Sequence, residues 1–388
     1  MSEKISKDNL SKVCITVLFI STPFLTSILS YKYDSLTVSI ALLASVLFGI
    51  IKLRNCFATD VLRLLLAISI FCLYQPVVSM AFGVIGLMIL KDKGSNNIKI
   101  VIKDTARKSA TIIIGFFIYK KTISDIYLSE YYKQQGEILK INKESIESVI
   151  HNMSGYILLI KDFIANPYIL IPLIICLTLC VFTLIKNAKF LLHTLLAIPF
   201  IFVATIGCNF ILKSPAFQAR ELMGFACLFI SIVIFSSSEK NGILSKYLIP
   251  TLSIGVFITN TLISYTFLNY KDEIARRDSN ILSDINIAIN HYGISEIKKI
   301  NLLYSPLQPS KKQENMESAY PIINKMIFEK GFSSTWYAKA FLSEENEINF
   351  PMEQGYEKII LPDFKTCFTD SKLTDGTMYL SIRKNCRN

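Results

Sequence analysis

Apolar stretches close to the ~20 residues that a helix needs to cross a hydrocarbon core recur along this chain from residue 13 to about residue 268, and then stop. No other feature constrains the fold as strongly. Inside a bilayer every backbone N–H and C=O must find its partner within protein, so such a chain folds as helices. The expected spans are 13–30, 36–52, 61–74, 76–90, 108–123, 167–186, 190–212, 222–238 and 247–268. The third and fourth are short and separated only by Tyr74-Gln75-Pro76, as a tight hairpin or as one helix broken by proline. Lys120 and Lys121 interrupt the fifth. Charged residues are 18% of the chain, where a soluble domain carries roughly a quarter. From residue 269 the composition turns to Lys, Glu, Asp, Asn and Ser. The expected architecture is an α-helical polytopic membrane protein of about nine spans over 1–268, followed by a small soluble α/β domain over 269–388.

The net charge of +11 is spread as punctuation at the ends of apolar runs, not as a basic stripe interleaved with aromatics, so nucleic-acid binding is not expected. The start, "MSEKISKDNLSKV", contains acids and no small-residue cleavage signal follows the first apolar run, as in an uncleaved first span. With the N-terminus cytoplasmic, the inner connections are "KLRN" (52–55), 91–108, "KNAK" (186–189) and 239–246, all basic. Nine spans then put the C-terminal domain outside. Lys271, Arg276 and Arg277 after the last span oppose this orientation, and Asp272, Glu273 and Asp278 offset them.

On that topology three short polar connections share the outer side. "YKYDS" carries Lys32, Tyr33 and Asp34; "YQP" carries Tyr74 and Gln75; "KSPAFQARE" carries Lys213, Arg220 and Glu221. Charges at a membrane margin are costly enough to be functional candidates. The plainer account of the same residues is an aromatic belt, snorkelling lysines and a turn-forming aspartate. Seven of the nine cysteines lie in or beside apolar runs, and no His, Cys or acid pattern has metal-ligand spacing. Cys367 and Cys386 lie in the tail and are the natural disulfide pair if that tail is outside the cytoplasm. The tail reads as a helix over 274–290, a strand over 297–305, a helix over 317–331, and strands over 356–362 and 377–383 with "TDG" as turn chemistry between.

Three stretches in this order, "STPFLTSILSYKYDSLTVSIALL" (21–43), "LYQPVVSMAF" (73–82) and "KSPAFQARELMGF" (213–225), resemble the type II family of Gtr-type glucosyltransferases, which decorate O-antigen. The resemblance implies a GT-C-like membrane glycosyltransferase in the bacterial inner membrane. Its donor would be undecaprenyl-phosphate-glucose, its acceptor a lipopolysaccharide O-antigen sugar at the periplasmic face, with no other cofactor and no metal. It implies two companions: a protein that flips the donor and a synthase that makes it. An acceptor hydroxyl must lose its proton as it attacks the anomeric carbon, which makes Asp34 the candidate catalytic base. Lys32, Tyr33, Tyr74, Gln75, Lys213, Arg220 and Glu221 are candidate substrate-binding residues. Members of the family carry key acids in a loop upstream of the part matching "YKYDSLT". Against that pattern the chain is expected to lack a span pair, so that either Asp34 serves as the acid or the chain is a shortened, inactive member. The remaining alternatives are an O-antigen polymerase, a lipid-linked-sugar flippase or transporter, and a non-catalytic envelope protein.

Overall fold

The computed structural model describes residues 9–31, 34–92, 97–127, 136–139, 143–186, 188–236, 243–303, 309–327, 353–355 and 362–382. It divides into two units: Met1–Tyr265 with Tyr320–Met326, and Thr266–Ala319 with Ile327–Asn388.

The first unit is helical. Its elements are α1 (Asn9–Ile20), α2 (Pro23–Leu29), α3 (Ser35–Ile50), α4 (Cys56–Leu73), α5 (Val78–Lys91), α6 (Ile98–Tyr119), α7 (Lys143–Ile164), α8 (Pro167–Lys186), α9 (Ala188–Ile206), α10 (Ala226–Ser236) and the first part of α11 (Ile243–Tyr292). The most enclosed is α5, which packs against α3, α9 and α10. Small residues let these backbones approach. A Cβ built on Gly83 would sit 2.4 Å from the Cys227 sulfur and 2.9 Å from the Ala204 Cβ. Gly83→Val is therefore expected to cost about 1–3 kcal/mol through overpacking, read as a lower unfolding temperature in detergent with the helical circular dichroism retained.

The nine spans expected from hydropathy are not reproduced one for one. Among the described residues two helices, α4 and the span within α11, are long and apolar enough to cross a membrane, and up to four spans result if each of two bent pairs counts as one. Those pairs are α1 with α2, bent by 46°, and α7 with α8, bent by 105°. The other apolar helices among the described residues, α3, α5, α9 and α10, are shorter. Proline accounts for both bends: Pro23 opens α2, and Pro167 opens α8 after Asn166. The Tyr74-Gln75-Pro76 break is a short 3₁₀ turn between α4 and α5.

Two boundaries moved, the first for electrostatic reasons. Helix α6 starts at Ile98, ten residues before the expected span, because its first turns join a charge network. Asp104 meets Arg63 of α4 at 3.3 Å and Lys108 at 2.8 Å, and Arg107 pairs with Asp60. Arg63 is 4% exposed and also donates to the Ile51 carbonyl, so its buried charge is compensated. Helix α11 runs straight through the expected boundary near residue 268, since no glycine or proline lies between Gly255 and Gly293. Gly293, at φ 84°, ends it.

In the second unit the end of α11 covers a five-stranded sheet. Ile281, Ile285, Ala288 and Ile289 pack on Ile300, Met378, Leu380 and Ile382. The strands are β1 (Lys299–Leu303), β2 (Glu353–Gly355), β3 (Phe364–Lys365), β4 (Thr369–Thr374) and β5 (Thr377–Ile382), in the order β2-β1-β5-β4-β3. β1 is parallel to both neighbours and the rest is antiparallel. The "TDG" turn joins β4 to β5, with Asp375 at φ 52° and Gly376 at φ 75°, the paired positive angles that suit a two-residue hairpin. The helix expected over 317–331 is instead α12 (Lys311–Ala319), stopped by Pro321, and a short α13 (Ile323–Met326) that belongs to the first unit. Gly331 and residues 356–361 lie outside the described set.

Candidate active site

Three connections far apart in sequence meet at one end of the helical unit. In the first, Tyr31 and Asp34 form a turn, with the Asp34 N–H donating to the Tyr31 carbonyl at 3.1 Å. Asp34 stands at the N-cap of α3, yet its carboxylate makes no capping hydrogen bond. The acid is therefore not used up in starting the helix, the ordinary employment of aspartate there. In the second, Tyr74 closes α4 with an extended backbone, and the Gln75 amide donates to the Tyr119 hydroxyl at 2.8 Å. In the third, α9 ends at Gly207 with φ 81°, and the chain passes through Phe217 and the 3₁₀ turn Ala219–Glu221 into α10. Beneath them Phe24, Phe163 and Phe225 pack mutually, ring centroids 5.0–5.3 Å apart. Helix α13 packs on the Arg220 turn.

Tyr74 is the meeting point. Burial pushes its hydroxyl well above the usual tyrosine range; Arg220 opposes that shift, while Glu221, Asp34 and Tyr31 add to it. Arg220 lies over the Tyr31 ring, 5.5 Å from its centroid, a cation–π geometry. Glu221 turns the other way. It is 8% exposed, takes a short hydrogen bond from the Tyr156 hydroxyl and is bonded to Asn209. Burial raises its carboxyl above the ordinary value, against the lowering by Tyr156, Asn209 and the Arg220 charge.

That shift has a sign. The folded state holds the Glu221 proton more tightly than the unfolded state, so its contribution is full below the ordinary carboxylate value of 4.5 and is lost as pH rises through the folded value. The unfolding temperature, followed upward from pH 4.5 in detergent, is expected to fall more steeply for the wild type than for Glu221→Gln. Parallel curves would remove Glu221 as the source.

The expected site residues thus separate. Asp34, Tyr74, Arg220 and Glu221 come together with Tyr31. Lys213 stands apart, in an exposed pair with Glu137 at 3.1 Å that is reinforced by the bridge of Ile138 to Leu212. Lys32, Tyr33 and Cys386 lie outside the described residues. Cys367, in the second unit, is disulfide-bonded, and Asp284 accepts hydrogen bonds from residues on either side of it, Thr366 and Phe368. Among the described residues no three His, Cys, Asp or Glu side chains gather as metal ligands. Sequence reasoning missed Tyr156 and Asn209. The helical spacing of Tyr156, Leu159, Ile160 and Phe163, all buried, was the available signal for α7.

The family whose model matches residues 6–231 is described as glucosyl transferase GtrII. That match covers more than half of the chain and all three connections. The chain belongs to the GtrII glucosyl transferase family. A protein of Salmonella phage P22 described as an uncharacterized 55.3 kDa protein in the gtrB 5′ region is 24% identical over 347 residues, covering 85% of this chain and 70% of the phage protein. No solved structure matches. The three connections thus gather a carboxylate, which can take a proton, and a guanidinium, which can stabilise negative charge, at the ends of apolar helices.

Proposed function

We propose that this GtrII family member transfers a glucosyl group from undecaprenyl-phosphate-glucose to a hydroxyl of a lipopolysaccharide O-antigen sugar, at the periplasmic face of the bacterial inner membrane. The observation that carries the reading is the convergence of Asp34, Tyr74 and Arg220 from three separate connections in a chain of a glucosyl transferase family. The position of the phage relative beside gtrB supports it. Donor supply would fall to a synthase and a flippase acting beside this protein.

In the proposed reaction Asp34 accepts the proton of the acceptor hydroxyl as that oxygen bonds to the anomeric carbon. The bond from that carbon to the phosphate oxygen breaks through an oxocarbenium-like state, and undecaprenyl phosphate leaves with the electron pair. Arg220 faces the departing phosphate, where a planar guanidinium can offer two hydrogen bonds. Lys32 and Lys213 supply further positive charge. The Lys213–Glu137 pair is exposed, so leaving it costs little. Tyr33, Tyr74 and Gln75 are the proposed sugar-binding residues. Membranes holding the protein are expected to pass label from undecaprenyl-phosphate-[¹⁴C]glucose to added O-antigen lipopolysaccharide; label retained on the donor would contradict the reading.

The tail is proposed to fold outside the cytoplasm with Cys367 bonded to Cys386. Support comes from the bonded state of Cys367, the other seven described cysteines standing outside any disulfide. Mass mapping under non-reducing conditions is expected to recover the two cysteine peptides as one species.

A further inference from the structure

One face of α7 lies against the Arg220 connection and takes no part in the chemistry above. It carries Asn152, Gly155 and Tyr156, three and four residues apart and so on one side of the helix. Each fastens a different point. The buried Asn152 amide donates to the carbonyls of Phe210 and Leu212 at 3.0 and 2.9 Å. Gly155 makes room for the Phe217 ring: a Cβ there would sit 2.4 Å from the ring edge. Phe217 has φ 49°, a left-handed angle that costs a non-glycine residue free energy and persists where the surroundings over-determine it. The Tyr156 ring packs 5.1 Å from the Phe217 ring, and its hydroxyl donates to Glu221.

Glu221 and Arg220 are neighbours in one 3₁₀ turn, in which successive side chains point about 120° apart. Drawing Glu221 inward onto Tyr156 and Asn209 therefore turns Arg220 the other way, over Tyr31. We propose that Asn152, Gly155 and Tyr156 of α7, together with Glu221, are positioning residues that aim the Arg220 guanidinium and act on sugar transfer only through it. The proposal rests on the reading of Arg220 as the group facing the donor phosphate.

The test uses full-length protein in membranes with undecaprenyl-phosphate-glucose as the probe. Glu221→Ala is expected to lower kcat/KM for the donor about 100-fold, the loss typical of a misplaced transition-state donor. Glu221→Gln keeps partners for Tyr156 and Asn209 and should restore activity to within about fivefold of wild type, the scale of one neutral hydrogen bond. Combining Glu221→Ala with Arg220→Ala should be no worse than Arg220→Ala alone, because both act through one group. Gln as inactive as Ala would make Glu221 a chemical participant, and fully additive losses would uncouple the pair; either overturns the proposal. A second measurement needs no activity. Trypsin cleavage after Arg220 in open membranes should be slow in the wild type and Glu221→Gln, and fast in Glu221→Ala and Gly155→Leu. Equal protection in all four overturns the proposal. Absence of transfer by the wild type would remove the functional reading, while the cleavage pattern would still decide whether α7 fastens the turn.

Discussion

Asp34→Asn is expected to lower sugar transfer at least about a hundredfold, the lower range for loss of a positioned general base. The substitution keeps the size of the side chain and a residue type suited to a helix start. It also removes no capping bond, since the Asp34 carboxylate makes none to α3. Protein level and helical content are therefore expected to match the wild type, which isolates the chemistry from folding. The loss should fall on kcat, with the KM for the donor changed little, because proton removal from the acceptor strengthens only in the transition state. The measurement is label transfer from undecaprenyl-phosphate-glucose at matched amounts of membrane protein. Full activity would remove Asp34 from the mechanism.

Arg220→Ala is expected to cost about 10²–10³ in kcat/KM for the donor, the range for removing one preorganised donor to developing negative charge. Arg220→Lys separates charge from shape. Lysine keeps the charge but has neither the planar fork that can hold a phosphate through two hydrogen bonds nor the flat face that lies over Tyr31. It should recover part of the loss and leave a raised KM. Tyr31→Ala, which removes the ring beneath the guanidinium, should cost less, since a cation–π contact at such a site contributes about 0.5–2 kcal/mol. The order wild type, Tyr31→Ala, Arg220→Lys, Arg220→Ala in donor kcat/KM is the expected signature. A lysine variant equal to wild type would mean that charge alone suffices.

The three connections were legible because polar residues between apolar runs stand out by composition: Asp34, Tyr74 and Arg220 each interrupt or border an apolar run. That they meet was not legible, because nothing in "YKYDS", "YQP" or "KSPAFQARE" encodes how helices pack. The inward turn of Glu221 was hidden for the same reason. Its partner Tyr156 lies on a helix that reads as loop, because Lys143, Glu144, Glu147, Lys161 and Asp162 mask the apolar stripe of α7. The orderly hairpin at Asp375-Gly376 was legible from turn chemistry alone, although its strand β4 was not. The unbroken α11 shows the opposite error. The change of composition near residue 268 marks a change of surroundings, and helix stops are written in glycine and proline instead, here at Gly293.

The central claim is that this chain moves a hexose onto O-antigen, and the mass of the O-antigen repeat tests it most directly. The protein would be produced in a bacterium supplied with undecaprenyl-phosphate-glucose and a flippase, and the repeat weighed by mass spectrometry. A repeat heavier by one hexose, absent from cells carrying Asp34→Asn, is the predicted result. An unchanged repeat, with the protein present in the membrane and the donor present in the cells, would contradict it.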